Sequence, residues 1–262
     1  MPTAAQGTAD SAIQDGVNRA VYHRPGVQHY YGAQHFYPAE TALLLKYQPR
    51  FSGRAVLDVG VGAGRTSRYL LPVAGRYQAI DYSPVMVGYM RARLPHVPIV
   101  QADFRDLSDF ADASFDFVFA TDNVIDALGH DDRLRALRES RRVLRPGGVL
   151  AFSSHNLDYR HAFAGPRLDR SRNPVTQLAN LAQYWRRWRN HRAVGPLREK
   201  AAGYALINDT GHDFACLHYY ISLPAQTVQL AQAGFGVLDV FDHEGRTVKG
   251  SDDSPNLFYL AE

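Results

Sequence analysis

Cysteine is almost absent from this chain. Cys216 stands alone among 262 residues, which excludes an internal disulfide and any multi-cysteine metal cluster. Long apolar runs are missing too: no stretch approaches the roughly 18 consecutive apolar residues that cross a bilayer, and no membrane partner is expected. Residues 1–15 have neither a basic start nor an apolar core, so they do not read as a secretory signal, and a cytoplasmic setting is expected. No His/Asp grouping has convincing metal-ligand spacing, and no metal is expected. Net charge is small, +3, with 45% hydrophobic and 21% charged residues, ordinary for a chain that buries a full core. That charge is unevenly placed. Residues 156–200 carry nine Arg and one Lys against Asp158, Asp169 and Glu199, or +7, which leaves −4 for the rest. Such a field attracts an anionic partner, but it equally suits a solvated helix face or a contact between copies.

What is present is a regular alternation. Ala55–Val59 is a short apolar run, hence a buried strand. The glycine turn 60–64 leads into a helix over 66–73. Tyr77–Ile80, Val97–Gln101, Phe115–Ala120 and Val149–Ser153 read as further strands, with helices over 84–94 and from Asp131 to Leu144, the last broken by Arg145-Pro146-Gly147-Gly148. Pro38 opens a helix at its first position, which Ser52-Gly53-Arg54 ends. Strands and helices at this spacing predict a parallel sheet covered on both faces. Residues 156–212 interrupt the pattern. Asn173-Pro174 starts a helix whose Leu178, Leu181, Trp185 and Trp188 form an apolar stripe opposite Arg186, Arg187 and Arg189, predicted to face the core or another subunit. Tyr204–Ile207 and Phe214–Ile221 read as a hairpin joined by 208–212. A helix over 224–233 and two antiparallel strands, 237–241 and 257–260, complete the chain.

The chemistry concentrates at three successive strand ends. Asp58-Val59-Gly60-Val61-Gly62-Ala63-Gly64 lies between a strand and a helix, where glycine permits tight turning and close approach of a ligand. Its glycines fall at the first, third and fifth places, and Arg65 takes the sixth, where the dinucleotide fingerprint needs glycine. No Gly-Lys-Ser/Thr follows, so a phosphate loop is excluded as well. Asp81, ending the second strand, is placed to accept from both hydroxyls of a ribose. Asp103, ending the third, is placed to accept from an adenine amino group while Phe104 packs on the ring.

With these residues in place, the stretch 55–153 resembles the class I S-adenosylmethionine-dependent methyltransferase family. Its acid-x-Gly-x-Gly-x-Gly signature matches at Asp58 to Gly64, its ribose acid at Asp81, its adenine-side acid at Asp103 and its Pro-Gly-Gly turn at Pro146 to Gly148. The resemblance implies a Rossmann-like α/β fold: a seven-stranded, mostly parallel sheet in the order 3-2-1-4-5-7-6, with helices on both faces. It implies S-adenosylmethionine as cofactor, with Gly60, Gly62 and Gly64 around the methionine moiety, Tyr82 and Met86 flanking the adenosine, and Asp58 organising the turn. The division expected is an aromatic cap over 1–37, a cofactor-binding core over 38–155, a helix-plus-hairpin lid over 156–222 and a completing segment over 223–262.

The methyl group would point toward Thr121–Asp126 and Ser154–Asn156. Asp122 and Asn123 could hold cofactor and acceptor, or equally cap a helix. His155 is a candidate general base, since a histidine's ordinary pKa lies near neutrality, and equally a structural histidine under the lid. His212 and Asp122 are further base candidates. More finely, His155-Asn156-Leu157-Asp158-Tyr159 is similar to the Arg-Asn-Tyr-Asp segment of glycine N-methyltransferase-like enzymes, and Leu217–Ser222 to their lid. That similarity implies Asn156 as the residue orienting an acceptor amine, with Tyr22, Tyr31, Asp126, Tyr219 and Tyr220 lining the acceptor pocket. His155 in place of arginine, and the basic insert, argue against glycine itself. The expected activity is N-methylation of a small polar metabolite, possible anions included. The alternatives are O-methylation with His155 as base and nucleic-acid methylation through the basic insert, the latter disfavoured because the tryptophans share an apolar stripe. Self-association through the insert is a further expectation.

Overall fold

The computed structural model describes residues 4–24 and 35–262. Among these residues the helices are α1 (Ala4–Tyr22), α2 (Pro38–Phe51), α3 (Ser67–Leu70), α4 (Pro84–Arg93), α5 (His130–Val143), α6 (Pro174–Val194) and α7 (Leu223–Gln232). Its strands are β1 (Ala55–Val59), β2 (Arg76–Asp81), β3 (Ile99–Gln101), β4 (Phe115–Ala120), β5 (Leu144–Asn156), β6 (Glu199–Lys200), β7 (Tyr204–Ile207), β8 (His218–Ile221), β9 (Val237–Phe241) and β10 (Asn256–Ala261).

Alternating side chains on the central strands make two cores, one on each face of the sheet. On one face Leu57, Val59, Val118 and Ala120 meet Ala136, Leu137 and Val143 of α5 and Leu230 of α7. On the other, Val56, Phe117 and Phe119 meet Leu43 and Phe51 of α2 and Val87 and Met90 of α4. The sheet runs β3-β2-β1-β4-β5 with all pairs parallel, and β10 then pairs antiparallel with β5 and with β9. With β9 and β10 as sixth and seventh strands, this is the 3-2-1-4-5-7-6 order.

Three strands lie beyond that plan. Along β5, Val149–Phe152 pairs with β4, and Leu150–His155 pairs with β10 on the other side. β4 stops at Ala120, and past that point β8 takes its place beside β5: His155 pairs with Asn256 on one flank and Tyr220 on the other. The β7–β8 hairpin, with β6 at its edge, therefore extends the sheet beyond its carboxyl end instead of standing off it as a separate flap. Its second strand is shorter than the sequence predicts, beginning at His218. Residues 211–214 form a 3-10 turn in which His212, Asp213 and Phe214 all have positive φ, a backbone that cannot continue a strand.

Helix α6 starts where predicted, with Asn173 Oδ1 accepting from the Val175 and Thr176 N–H groups. Its stripe does not face the core, however: α6 has no buried residue. The inward side is polar, with Gln183, Arg187 and Asn190 all reaching Asp213. Arg189 lies exposed beside the tryptophans, not opposite them. Helix α1, which no apolar periodicity announces, docks through amides. Asn18 Nδ2 donates to the carbonyls of Leu217 and Ala127, its Oδ1 accepts from Leu217 N–H, and Gln14 Nε2 donates to Leu217 O.

Candidate active site

A cavity opens at the carboxyl ends of β1, β2 and β4, roofed by α1. Gly60, Gly62 and Gly64 all have positive φ, so the turn after β1 needs residues without a Cβ. At Gly60 a Cβ would lie 2.6 Å from both Val124 methyls. Asp58 is buried beneath the turn. Its Oδ2 accepts from Thr66 Oγ1 at 2.7 Å and Tyr77 OH at 2.5 Å, and burial pushes the carboxyl up to about 7. It holds the turn's shape.

Asp81 reaches the cavity from the end of β2. Its oxygens accept one backbone N–H each, from Gly62 at 2.9 Å and Ser83 at 2.8 Å, which leaves a lone pair on each for a ligand hydroxyl. Burial raises this carboxyl to about 6 although both N–H groups favour the ionised form. Asp103 also lines the cavity, but Arg105 occupies both its oxygens, at 2.9 and 2.6 Å. Burial opposes its charge, and the guanidinium nonetheless holds its pKa low. Oδ1 also takes the Arg105 main-chain N–H, whereas Oδ2 accepts only the one guanidinium hydrogen bond and keeps a lone pair for a ligand donor. Tyr82, Met86 and Phe104 complete that end, with Asp15, Asn18 and Tyr22 of α1 across from them.

At the end of β4, Asp122 and Asn123 both line the cavity with left-handed backbone, φ +61° and +57°. Consecutive non-glycine residues there cost about 1 kcal/mol or more each and mark a site that the surroundings hold in place. Burial raises the Asp122 carboxyl, which accepts from Tyr37 OH at 3.2 Å. Two buried oxygens in this corner, Thr121 Oγ1 and Asn123 Oδ1, have no hydrogen-bond partner among the described residues. Buried polar atoms of this kind suit a bound polar ligand.

Beside Asn123 lies a compact ionisable cluster. Asp126, fully buried, accepts from Arg133 at 2.5 Å and Ser154 Oγ at 2.7 Å on one oxygen, and from the His155 N–H and Nδ1 on the other. Burial would raise its pKa, but Arg133 and His155 hold it low. Asp126 is thus saturated and positions His155, contrary to its expected place in the acceptor pocket. An ionised carboxylate only accepts, so His155 Nδ1 carries a proton and Nε2 is turned away from Asp126. Nε2 lies 3.2 Å from Asn123 Nδ2 and 3.8 Å from Asp209 Oδ2, and the side chain is 17% exposed.

Asp209 and His218 are the residues that the sequence reading missed. His218 Nδ1 and Tyr220 OH both meet Asp209 Oδ2, at 2.9 and 2.7 Å, and His218 Nε2 lies 3.3 Å from Tyr22 OH. Burial disfavours the His218 charge, but Asp209 outweighs it and raises the imidazole well above its ordinary value. Burial instead lowers His212 to about 4, leaving it neutral at pH 7 against Tyr22. The available signal for His218 was strand alternation, which places it on the same face as Tyr220.

Other expected residues lie elsewhere. Asn156 is buried, its Nδ2 donating to the Asp252 and Ser254 carbonyls and its Oδ1 accepting from Asp158 N–H. It ties down a loop and does not face the cavity. Tyr219 points to the opposite face of the hairpin, where its hydroxyl meets His130 and Gln229 and its ring stacks on Tyr204. Tyr220 stacks on His155 at 4.6 Å and joins the cluster through Asp209. Tyr31 lies outside the described residues.

Comparisons with known proteins agree with the glycine-turn half. The family model described as "Methyltransferase domain" matches residues 57–152. A probable S-adenosylmethionine-dependent methyltransferase of Mycobacterium tuberculosis is 38% identical over 108 residues, covering 41% of this chain and 38% of that protein. The malonyl-[acyl-carrier protein] O-methyltransferase of Pectobacterium atrosepticum is 34% identical over 111 residues, covering 42% of each. The chain thus spans well under half the length of the curated relatives it matches. Among solved structures, the CcbJ methyltransferase from Streptomyces caelestis superposes with TM-score 0.58 at 18% identity, over 96% of this chain and 98% of that one. The 1,6-didemethyltoxoflavin-N1-methyltransferase of Burkholderia thailandensis gives 0.59 at 17% identity, over 100% and 91%. At such identities the likeness is one of fold.

Proposed function

We propose, from the match of residues 57–152 to the methyltransferase-domain family model, that the chain is a class I S-adenosylmethionine-dependent methyltransferase that methylates an oxygen of a small polar acceptor, with His155 taking the acceptor's proton. The observation that carries this reading is the Asp126–His155 pair: Asp126 holds Nδ1, and Nε2 meets Asn123, which lines the cavity.

The cavity fits the cofactor on its own features. The turn has no room for a Cβ at Gly60, Asp81 has a lone pair to spare on each oxygen, and Thr121 Oγ1 and Asn123 Oδ1 await donors. Gly60 to Gly64 would cradle the methionine moiety, Asp81 would accept from the ribose, and Tyr82, Met86 and Phe104 would enclose the adenosine. S-adenosylmethionine supplies a sulfonium methyl that needs only an aligned nucleophile. The chain's task is to align the acceptor, exclude water and remove the proton. A base held by a third group is the general arrangement for activating a hydroxyl. Asp126 fixes the imidazole through Nδ1. A nitrogen acceptor had rested on Asn156, which is turned away.

Transfer from methyl-labelled S-adenosylmethionine to a panel of hydroxyl and amine acceptors tests the reading. Label recovered as a methyl ether or ester is expected; label found on nitrogen alone would overturn it.

Cofactor affinity should also depend on pH. Because its folded pKa is raised, Asp81 favours the fold most below the ordinary carboxylate range, and that contribution is lost as pH rises through about 6. Ribose hydroxyls need the ionised form as acceptor. Affinity should therefore fall by up to about tenfold per pH unit below 6, with proton release near pH 6. Calorimetry in buffers of different ionisation enthalpy checks this, and a flat profile from pH 5 to 7 would contradict it.

A further inference from the structure

The outer face of α6 is uncovered. Val175, Leu178, Trp185 and Trp188 are 75, 69, 60 and 37% exposed. Arg189 and Arg192 follow the two tryptophans at four-residue steps and so share that face, with the Arg192 guanidinium 4.8 Å over the Trp188 ring. From Arg170 to Arg198 the sequence holds seven arginines and no Asp or Glu. Arg186 and Arg187 share Asp213, and Arg187 also approaches Asp169, whereas Arg172, Arg189 and Arg192 have no carboxylate partner among the described residues.

We propose that this face docks the protein on an anionic lipid surface. Docking would be peripheral, since among the described residues no helix is long and apolar enough to cross a membrane. Three occupants can be weighed on charge and shape. A second copy would set the unpaired arginines of one helix against those of the other, with no acidic residue in the segment to relieve them. A nucleic acid would satisfy the arginines, but offers nothing to Val175 and Leu178, the most exposed aliphatic side chains of the stripe. An anionic bilayer meets both demands: headgroup phosphates take the guanidinium groups while Leu178 and Trp185 enter the acyl boundary. Tryptophan is the residue type best suited to that interface, with an apolar ring and a polar N–H. The helix is also well tied to the rest of the chain through Asp213, so that inserting its outer side need not unfold it.

The chain supplies its own probe, because Trp185 and Trp188 are its only tryptophans. The full-length protein is mixed with vesicles of phosphatidylcholine alone or of phosphatidylcholine with phosphatidylglycerol, and tryptophan emission and co-sedimentation are followed. A blue shift and sedimentation with the phosphatidylglycerol vesicles only, lost at high salt, are expected. Arg189→Gln with Arg192→Gln should weaken binding roughly thirtyfold, at about a kilocalorie per basic residue. Leu178→Ser should weaken it as well and diminish the blue shift. These side chains are exposed, so the variants should fold. The proposal is overturned by equal binding to neutral vesicles or by no shift with anionic ones. It is also overturned by a blue shift in buffer that grows with protein concentration and a doubled mass, which would identify a second copy. Salt-sensitive binding to an RNA oligomer without vesicle binding would do the same in favour of nucleic acid. No cofactor enters the experiment, so its failure is separate from any failure of the methyl-transfer reading.

Discussion

His155→Gln should reduce turnover by about 10²–10⁴-fold, the usual contribution of a positioned general base, while S-adenosylmethionine affinity stays as it was. The main-chain N–H of residue 155 still donates to Asp126, so that contact of the fully buried carboxylate is preserved. What glutamine lacks is a basic nitrogen where Nε2 stands between Asn123 and Asp209. The loss should appear in kcat, with little change in the KM for cofactor, because none of the cofactor contacts inferred for Gly60–Gly64 and Asp81 involves this side chain. The rate–pH profile should separate this role from a structural one. A rate limb that belongs to the imidazole should disappear in the variant, whereas simple misplacement of the acceptor would lower the rate at every pH alike. A variant with nearly full activity would mean that the acceptor arrives without a proton to lose.

Arg133→Met should destabilise the fold by about 3–5 kcal/mol, the cost of leaving a buried carboxylate without its partner. Arg133 is wholly buried and donates to Asp126, Ser154, Gln226 and Gln229, with its guanidinium 4.7 Å over the Tyr219 ring. Methionine would fill much of the same volume and satisfy none of these acceptors. The ionised Asp126 would then be strongly disfavoured, and a protonated Asp126 would no longer hold His155 in the same tautomer. Stability and turnover should fall together. Urea unfolding measures the first, and a change below about 1 kcal/mol would show that the buried pair is not what fixes this corner.

The legible parts of the sequence were those where backbone geometry dictates residue type. Ala55–Val59 and Phe115–Ala120 have the bounds read from their apolar runs, and Pro38 and Asn173-Pro174 open helices for the capping reasons given. The glycine turn and Asp81 were legible because a positive φ and a strand-end carboxylate leave a pattern in consecutive residues. The acceptor side leaves no such pattern. Asp126, His155 and the Asp209–His218 pair come from three separated segments and meet only because β8 replaces β4 beside β5. Asn156 was misplaced by a local likeness that could not register the loop 252–254 folding over it. Helix α1 escaped notice because Gln14 and Asn18 attach it to backbone carbonyls, whereas periodicity arguments count apolar contacts. The α6 stripe was read as core-facing for the converse reason: hydrophobic spacing identifies a face, not what lies against it.

The central claim is that the glycine-turn cavity holds S-adenosylmethionine with Asp81 on its ribose. Titrating the cofactor calorimetrically into the full chain and into Asp81→Ala tests it most directly. One site should appear in the unaltered protein, weakened in the variant by about 1.5–3 kcal/mol, the range for hydrogen bonds to a charged group. Equal affinity in a folded variant, or no binding to the unaltered chain, would contradict the account.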